Sequence, residues 1–186
     1  MLSKYLEELD NSSKIIFVTG GTKSGKSEFA EFLLKNFSNV TYVALSNKRQ
    51  DDDNWQQKIL IHRKRRPKSW RLIETMDLLT VLKSEIGPLL IDSIGGFIME
   101  NIEAENKLWL KKIDLLIKTL KNRKSLTLIV GEQVGWSLVS EYKIGNIYIE
   151  RMGELQKMIT KISKDNWLAL NGRVIKIDDI SLEIPS

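Results

Sequence analysis

Short runs of consecutive apolar residues alternate along the chain with longer stretches in which apolar residues recur every three or four positions. The runs predict buried strands, because a strand covered on both faces lacks the polar alternation of a half-exposed one. The predicted strands cover residues 14–19, 40–44, 70–74, 89–92, 126–130, 167–170 and 174–177. The strand at 70–74 is predicted to lie at an edge of the sheet.

The periodic stretches predict amphipathic helices. The helical predictions cover residues 25–36, 55–61, 77–85, 104–121 and 148–163. In the first helix, Phe29, Phe32 and Leu33 are placed on one face. Residues 48–54 form a charged stretch between predicted elements. Strands that alternate with helices predict an α/β fold with a mostly parallel central sheet covered on both faces, which is a three-layer sandwich.

The composition is that of a globular chain, with 186 residues of which 42% are hydrophobic and 28% charged. This length predicts a single domain over residues 1–186, with residues 1–13 as a short polar N-terminal helix or arm. Cysteine is absent, which excludes disulfides, thiolate metal sites and cysteine catalysis. The single histidine, His62, excludes a multi-histidine metal site.

The formal net charge of +5 suits nucleic acids and phosphorylated small molecules equally well. The N-terminal residues are charged and lack the apolar core of a signal peptide. No apolar run approaches the ~18 residues that a membrane helix needs. We therefore expect a cytoplasmic protein without a membrane segment.

A glycine-rich stretch follows the first predicted strand and matches the pattern G-x-x-x-x-G-K-[ST]. It consists of Gly20, Gly21, Thr22, Lys23, Ser24, Gly25, Lys26 and Ser27. Glycines let backbone N–H groups close around phosphate oxygens, and the next helix points its positive end at the anion. Lys26 is predicted to reach the β- and γ-phosphates, and Ser27 to bind Mg²⁺. An accidental glycine turn is the alternative, but the flanking strand and helix favour a P-loop NTPase-like nucleotide site.

Two acidic features are candidates for the magnesium site. Asp92 ends a buried strand, where P-loop proteins place an acidic partner of the metal. The alternative for Asp92 is a helix cap at a strand–helix turn. The acidic run at residues 51–53 could also bind Mg²⁺, although a solvated loop is the simpler interpretation.

The densest cluster of charge contains the only histidine. Six cations lie within residues 62–71, beginning at His62. A solvated basic loop and a nucleic-acid patch are the ordinary interpretations of such a run. However, an imidazole is a competent nucleophile near neutral pH, and neighbouring arginines can stabilise charge on a reacting phosphate. His62 is therefore a candidate nucleophile, with a structural role as the alternative.

Together these motifs resemble the bifunctional adenosylcobinamide kinase / adenosylcobinamide-phosphate guanylyltransferase family of cobalamin biosynthesis. The resemblance extends over residues 15–176. The segments that carry it are residues 18–31, 40–44, 62–67 with Trp70 and Glu74, 90–92, 134–136 and the region of Gly153. The spacing from the histidine through Arg-Pro to the tryptophan and glutamate is more specific than the P-loop itself.

The resemblance implies that the chain phosphorylates the aminopropanol hydroxyl of adenosylcobinamide with GTP or ATP. It also implies transfer of GMP from GTP to the product through a guanylylated His62, with Mg²⁺ at Ser27 and Asp92 and with Lys26 as a catalytic group. Its partners would be nucleotides and a corrinoid rather than nucleic acid, and its assembly a homotrimer. The further nucleotide contacts implied are Leu45, Ser46, Asn47, Arg63, Lys64, Arg65, Arg66 and Glu74.

The chain departs from the family pattern at several positions in its second half. The family reads Asn-Glu where this chain has Glu132-Gln133, and threonine where it has Gly95. The other departures are Ser140 for proline, Ile149-Glu150 for Arg-Asp, and Gln156-Lys157 for Asn-Gln. We expect these changes to lie near the corrinoid and the subunit contacts.

Three other functions remain open from the residues alone. A P-loop kinase of another small alcohol would leave His62 structural. A nucleic-acid-binding NTPase would use the basic run, with Trp55 and Trp70 as stacking platforms in place of the usual packing anchors. A relative that binds GTP without turnover is the third.

Overall fold

The computed structural model describes residues 2–12, 14–46, 66–136 and 140–185. The strands are β1 (Ile15–Gly20), β2 (Thr41–Ala44), β3 (Arg71–Glu74), β4 (Leu89–Asp92), β5 (Thr127–Glu132), β6 (Asp165–Leu170) and β7 (Arg173–Lys176). The helices are α1 (Leu2–Glu8), α2 (Lys26–Leu33), α3 (Leu78–Ser84), α4 (Gly95–Glu100), α5 (Asn106–Asn122) and α6 (Lys143–Ile162), followed by a 3₁₀ turn at Ile177–Asp179.

One sheet contains all seven strands in the order β3-β2-β4-β5-β1-β6-β7. Every neighbouring pair is parallel except β6 and β7. The carboxyl ends of β1 to β6 therefore lie at the same edge. In the register of this sheet, Gly20 pairs with Glu132, and Asp92 pairs with Val130. The loops that follow these strands are the ones available to build a site.

Side chains alternate between two cores, one on each face of the sheet. Phe17, Ile91 and Ile129 point into the core beneath α3 to α6, where Trp109 is fully buried. Ile16 and Leu90 point into the core beneath α2, against which α1 also packs. The arrangement confirms the predicted three-layer α/β sandwich with a mostly parallel sheet.

The arm at the N-terminus is a helix whose Tyr5 docks on β6. The ring of Tyr5 meets Trp167 edge-on, with 5.3 Å between the ring centroids, and its hydroxyl donates to Asp165 at 2.9 Å. Trp70 is also a packing residue, because its indole N–H donates to the carbonyl of Phe37 at 3.0 Å and it contacts the core beneath α2. No helix in the described ranges is long and apolar enough to cross a bilayer.

The predicted strands and helices that fall within the described residues are confirmed, with shifts at several of their ends. The predicted helix at 55–61 lies outside the described residues. Strand β5 extends two residues further than predicted, because Gly131 and Glu132 continue the ladder with β1. Helix α6 begins at Lys143, five residues before the predicted start, despite the glycine and asparagine in its first turn. Helix α4 was not predicted, because the two glycines at its start have a low helix propensity. Burial of Phe97 and Ile98 stabilises this helix in the folded protein. Phe32 is 37% exposed and does not share the buried face of Phe29 and Leu33.

Candidate nucleotide site and adjoining cleft

The glycine-rich loop joins β1 to α2 through a left-handed turn. Lys23 and Gly25 have φ values of 57° and 95°, and the amide of Phe29 donates to the carbonyl of Gly25 at 2.9 Å as α2 begins. The positive end of α2 is therefore presented to this loop. The Nζ of Lys26 donates to the carbonyl of Gly21 at 3.1 Å. The side chain that is predicted to contact the phosphates therefore lies against the phosphate loop.

The turn between β6 and β7 supports this loop from behind. A Cβ on Gly20 would lie 2.4 Å from the carbonyl oxygen of Ala169, so only glycine fits there. The amide of Gly172 donates to the carbonyl of Ser24 at 3.0 Å. Backbone contacts with β6 and with the turn that follows it therefore help to hold the loop.

Asp92 lies at the end of β4 and is held by a phenol from the neighbouring strand. The hydroxyl of Tyr42 donates to Asp92 Oδ2 at 2.7 Å. Burial, together with the charge of Asp92, raises the pKa of the Tyr42 phenol well above its usual value, so the phenol stays protonated as a donor. Asp92 does not cap a helix, since α4 begins at Gly95 after Ile94 without a side-chain cap.

Arg66 covers the outer face of the same tyrosine. Its guanidinium carbon lies 3.3 Å from the ring centroid of Tyr42, and its Nε lies 3.8 Å from a carboxylate oxygen of Glu31. Arg66 was predicted to contact the nucleotide. In the structure it joins the first turns of α2 to β2 and thereby approaches the tyrosine that holds Asp92.

Glu132 lies at the end of β5, between the ends of β1 and β4. The hydroxyl of Ser93 donates a short hydrogen bond to its Oε1. Burial raises the pKa of the Glu132 carboxyl, although the bond from Ser93 and the positive charge of Lys26 oppose that shift. Its Oε2 is buried and has no hydrogen-bond donor among the described residues.

Gly95 and Tyr148 enclose this carboxylate. A Cβ on Gly95 would lie 2.2 Å from the hydroxyl oxygen of Tyr148 and 3.0 Å from Glu132 Oε2. A threonine, which the resemblance predicts at this position, would therefore clash with the Tyr148 hydroxyl and crowd the Glu132 carboxylate. Two departures that are 37 positions apart in the sequence are neighbours in the fold.

A third departure contacts the same strand end. Gln156 of α6 donates through Nε2 to the carbonyl of Glu132 at 2.7 Å and accepts through Oε1 from Gln133 Nε2 at 3.0 Å. The hydroxyl of Thr19 approaches the same Oε1 at 3.5 Å. Gln156 thus joins the ends of β1 and β5 to α6.

A cleft of about 700 Å³ opens beside Glu132. The carboxyl edge of the sheet forms one wall, and α4, α5 and the connection between them form the other. Its lining combines apolar, amide and charged side chains. The lining residues are Leu45, Ser46, Met76, Gly95, Gly96, Met99, Glu100, Asn101, Ile102, Glu103, Ala104, Leu108, Lys112, Glu132 and Tyr148.

Arg151 of α6 holds the wall of this cleft in place. Its guanidinium donates to the carbonyls of Asn101 and Ile102 at 2.6 and 2.9 Å, and also to the carbonyl of Ala104. It lies 4.8 Å from the ring centroid of Trp109. A buried cation therefore satisfies three carbonyls of the loop between α4 and α5.

Most of the predicted site residues that the structure describes lie at one edge. The P-loop, Leu45 and Ser46, Glu74 and Asp92 all follow or end parallel strands at the carboxyl edge. Asn47, His62, Arg63, Lys64 and Arg65 lie outside the described residues, as do Trp55, the acidic run at 51–53 and the predicted helix at 55–61.

Several side chains at this edge were not assigned a role from the sequence. In the sequence, Tyr42 lies within a predicted strand and Tyr148 at the predicted start of a helix. Glu132 and Gln156 stand out there only as departures from the family pattern. Their position along the sequence could have indicated a role at the site. Tyr42, Ser93 and Glu132 lie within or just after predicted strands whose carboxyl ends form the site.

The strand order, the loop after β1 and the acid after β4 define a P-loop nucleotide-binding protein of the α/β class. The family model described as cobinamide kinase / cobinamide phosphate guanyltransferase matches residues 16–177. The chain belongs to this family, as the resemblance predicted, and the family's members are kinase and guanylyltransferase enzymes of cobalamin biosynthesis.

Curated relatives agree with this assignment over nearly their full length. The bifunctional adenosylcobalamin biosynthesis protein CobU of Escherichia coli K12 is 25% identical over 181 residues, covering 88% of this chain and 99% of the relative. The protein of the same name from Salmonella typhimurium has the same identity and coverage. CobP of Pseudomonas aeruginosa is 26% identical over 150 residues, covering 77% and 86%.

Solved structures with little sequence similarity confirm the fold. Flagellar accessory protein FlaH from Methanocaldococcus jannaschii superposes with a TM-score of 0.53 at 14% identity, covering 93% of this chain and 80% of that one. A Pyrococcus horikoshii OT3 protein gives a TM-score of 0.57 at 7% identity, with 99% and 97% covered.

Proposed function

We propose that this chain phosphorylates the aminopropanol hydroxyl of adenosylcobinamide and then transfers GMP from GTP to the product through His62. The observation that carries the proposal is the meeting of Lys26, Asp92 and a cleft of about 700 Å³ at one edge of the sheet. That edge offers a triphosphate site with room beside it for an acceptor. Family membership names the acceptor as a corrinoid.

In the kinase reaction, the corrinoid hydroxyl attacks the γ-phosphorus of GTP or ATP. An oxygen–phosphorus bond forms to the acceptor, the bond to the β,γ-bridging oxygen breaks, and the nucleoside diphosphate leaves with that electron pair. The P-loop amides and Lys26 stabilise the charge that moves onto the leaving group. This chemistry needs positioning more than covalent participation by the protein.

In guanylyl transfer, the neutral imidazole of His62 attacks the α-phosphorus of GTP. A nitrogen–phosphorus bond forms, the bond to the α,β-bridging oxygen breaks, and pyrophosphate leaves. The phosphate of the corrinoid then attacks the same phosphorus, and the histidine is released. The basic residues that follow His62, from Arg63 to Arg65, would stabilise the pentavalent phosphorus.

The donor set fits Mg²⁺ that arrives with the nucleotide. This ion keeps several waters and substrate phosphates, so one or two protein oxygens suffice. The Ser27 hydroxyl and the Asp92 carboxylate would supply them, and Tyr42 orients that carboxylate through Oδ2. When bound, the ion would neutralise charge on the phosphates.

Family membership also leads us to expect further nucleotide contacts, a particular assembly and a cellular location. Leu45, Ser46, Asn47 and Arg66 would border the nucleotide, and Glu74 would contact the guanine nucleotide. The chain would act as a single domain, assemble as a homotrimer and work in the cytoplasm. The confinement of the described cores to the two faces of one sheet supports the single domain.

The test is intact-protein mass after incubation with GTP and Mg²⁺, for wild type and for His62→Ala. An acid-labile GMP adduct on wild type alone is the expected result. Adding adenosylcobinamide phosphate should then remove the adduct. Bound GTP without an adduct would demote His62 to a structural role and leave a P-loop kinase or a non-catalytic GTP binder.

A further inference from the structure

Glu132 stands where the phosphate site and the cleft meet. Strand β5 lies between β1 and β4, so its end is flanked by the P-loop on one side and by Asp92 on the other. In the sheet register, Glu132 is the direct partner of Gly20, the first P-loop glycine. The same residue lines the cleft. A group at this position faces both reactants of a phosphoryl transfer.

We propose that Glu132 is the catalytic base of the kinase reaction, and that the cleft beside it holds the hydroxyl-bearing end of the acceptor. This inference rests on the proposed function and adds to it the residue that receives the acceptor's proton. The family pattern places asparagine here, and an amide cannot take a proton in this way. The assignment therefore concerns this chain's own residue.

The surroundings of Glu132 orient a carboxylate and leave it able to accept. Ser93 donates to Oε1 and Gln156 donates to the backbone carbonyl of the same residue, which fixes both the side chain and the strand end. No described residue donates to Oε2. Buried carboxylate oxygens are normally paired, so a donor from an acceptor molecule would complete the set.

Gly95 provides the space that this carboxylate occupies. A β-carbon at this position would come within 3.0 Å of Glu132 Oε2. The resemblance predicts threonine and asparagine at these two positions, so a glycine and a glutamate that are neighbours in the fold depart from that pattern together.

The lining of the cleft suits an amphipathic alcohol. Met76, Met99 and Leu108 offer apolar contact, whereas Lys112 offers a hydrogen-bond donor. A corrinoid presents a large ring edge and an alcohol at the end of a short amide arm. Its alcohol end would enter the cleft, since about 700 Å³ holds an arm and a ring edge but not the whole ligand.

The acceptor hydroxyl oxygen forms a bond to the γ-phosphorus while its proton passes to the Glu132 carboxylate. The bond between the γ-phosphorus and the bridging oxygen breaks, and its electron pair leaves with the nucleoside diphosphate. The protonated carboxyl group then returns its proton to water, and no further reactant is needed.

The experiment measures both half-reactions of the full-length enzyme separately. Kinase activity is followed with adenosylcobinamide and GTP or ATP, and guanylyl transfer with GTP and supplied adenosylcobinamide phosphate. Glu132→Gln keeps the size and the acceptor for Ser93 but cannot take the proton. We expect it to lower kinase kcat about 100-fold while guanylyl transfer and the GMP adduct stay near wild type. Glu141→Gln, an exposed glutamate away from the cleft, is the matched control.

Parallel loss of both activities in E132Q, or kinase kcat equal to wild type, would overturn the inference. If E132Q does not fold, Glu132→Asp keeps the carboxylate one methylene shorter. Selective loss of kinase activity in E132D would then support the base, and equal loss of both activities would overturn it. Wild-type enzyme that forms the adduct but never phosphorylates adenosylcobinamide would instead contradict the kinase half of the proposed function, and this inference with it.

Discussion

Tyr42 donates a 2.7 Å hydrogen bond to Asp92, which ties the second strand of the chain to the acid expected to face the nucleotide's metal. The phenol is buried, and Arg66 covers its ring. The donor of this bond therefore lies where water has little access. Such a bond shapes catalysis through another residue, and it can be removed without emptying the core.

Tyr42→Phe should weaken magnesium-dependent turnover while keeping the ring beneath Arg66. We expect the Mg²⁺ concentration for half-maximal activity to rise, and the free energy of unfolding to fall by about 1 kcal/mol, since one net hydrogen bond is lost. Magnesium titration of GMP-adduct formation and urea unfolding measure the two effects. Tyr142→Phe, at an exposed tyrosine, is the control. An unchanged magnesium dependence would show that Asp92 needs no support from Tyr42.

Lys26→Met should abolish both activities without unfolding the protein. The lysine's Nζ donates to the loop carbonyl of Gly21, and Lys26 belongs to neither described hydrophobic core, so stability should change little. The loss of a cation at the phosphates should lower turnover by about 100-fold or more. Adduct formation, cobinamide phosphorylation and the melting temperature are measured side by side. Lys118→Met, on the exposed face of α5, should behave as wild type in all three.

Gly95→Thr should destabilise the protein and close part of the cleft. The added side chain meets the Tyr148 hydroxyl and the Glu132 carboxylate, and overpacking of this kind costs about 1–3 kcal/mol. Combining it with Glu132→Asn should recover part of that loss, because the shorter amide withdraws from the collision. A double-mutant cycle by urea unfolding measures the coupling. Strict additivity would mean that the two positions do not interact.

Arg123→Met should be among the most destabilising single changes in the described part of the chain. The buried guanidinium donates to the carbonyls of Leu82 and Gly87 at 2.9 and 2.7 Å and also to that of Glu85. Removing it leaves those carbonyls without their donor, which we expect to cost about 3 kcal/mol or more. The bonds to Leu82 and Glu85 join Arg123 to the carboxyl end of α3.

Chemical unfolding of Arg123→Met, with the exposed Lys124→Met as control, measures that cost. Activity per folded molecule should remain near wild type, because Arg123 lies at the opposite end of the sheet from the P-loop. A stability close to that of wild type would mean that water replaces the guanidinium at all three carbonyls.

Local signals were sufficient wherever a segment's neighbours in sequence are also its neighbours in space. The run at 89–92 is bounded by proline and serine, and β4 has the predicted bounds. The P-loop was recognisable because a strand, a glycine turn and a helix follow one another without interruption. Helix α4 was missed because its stability comes from Phe97 and Ile98 reaching a distant core, while its glycine pair argues locally against a helix.

The sequence alone indicated the class of the molecule, the phosphate loop, the acid at the end of β4 and the family. These depend on periodicity and on motifs of a few adjacent residues, which are properties of short segments. Only the tertiary structure decided that Tyr42 supports Asp92, and that Gly95 makes room for Glu132. Those relationships join residues far apart in the chain, and they arise only when the strand order brings the ends of β2, β4 and β5 to the same edge.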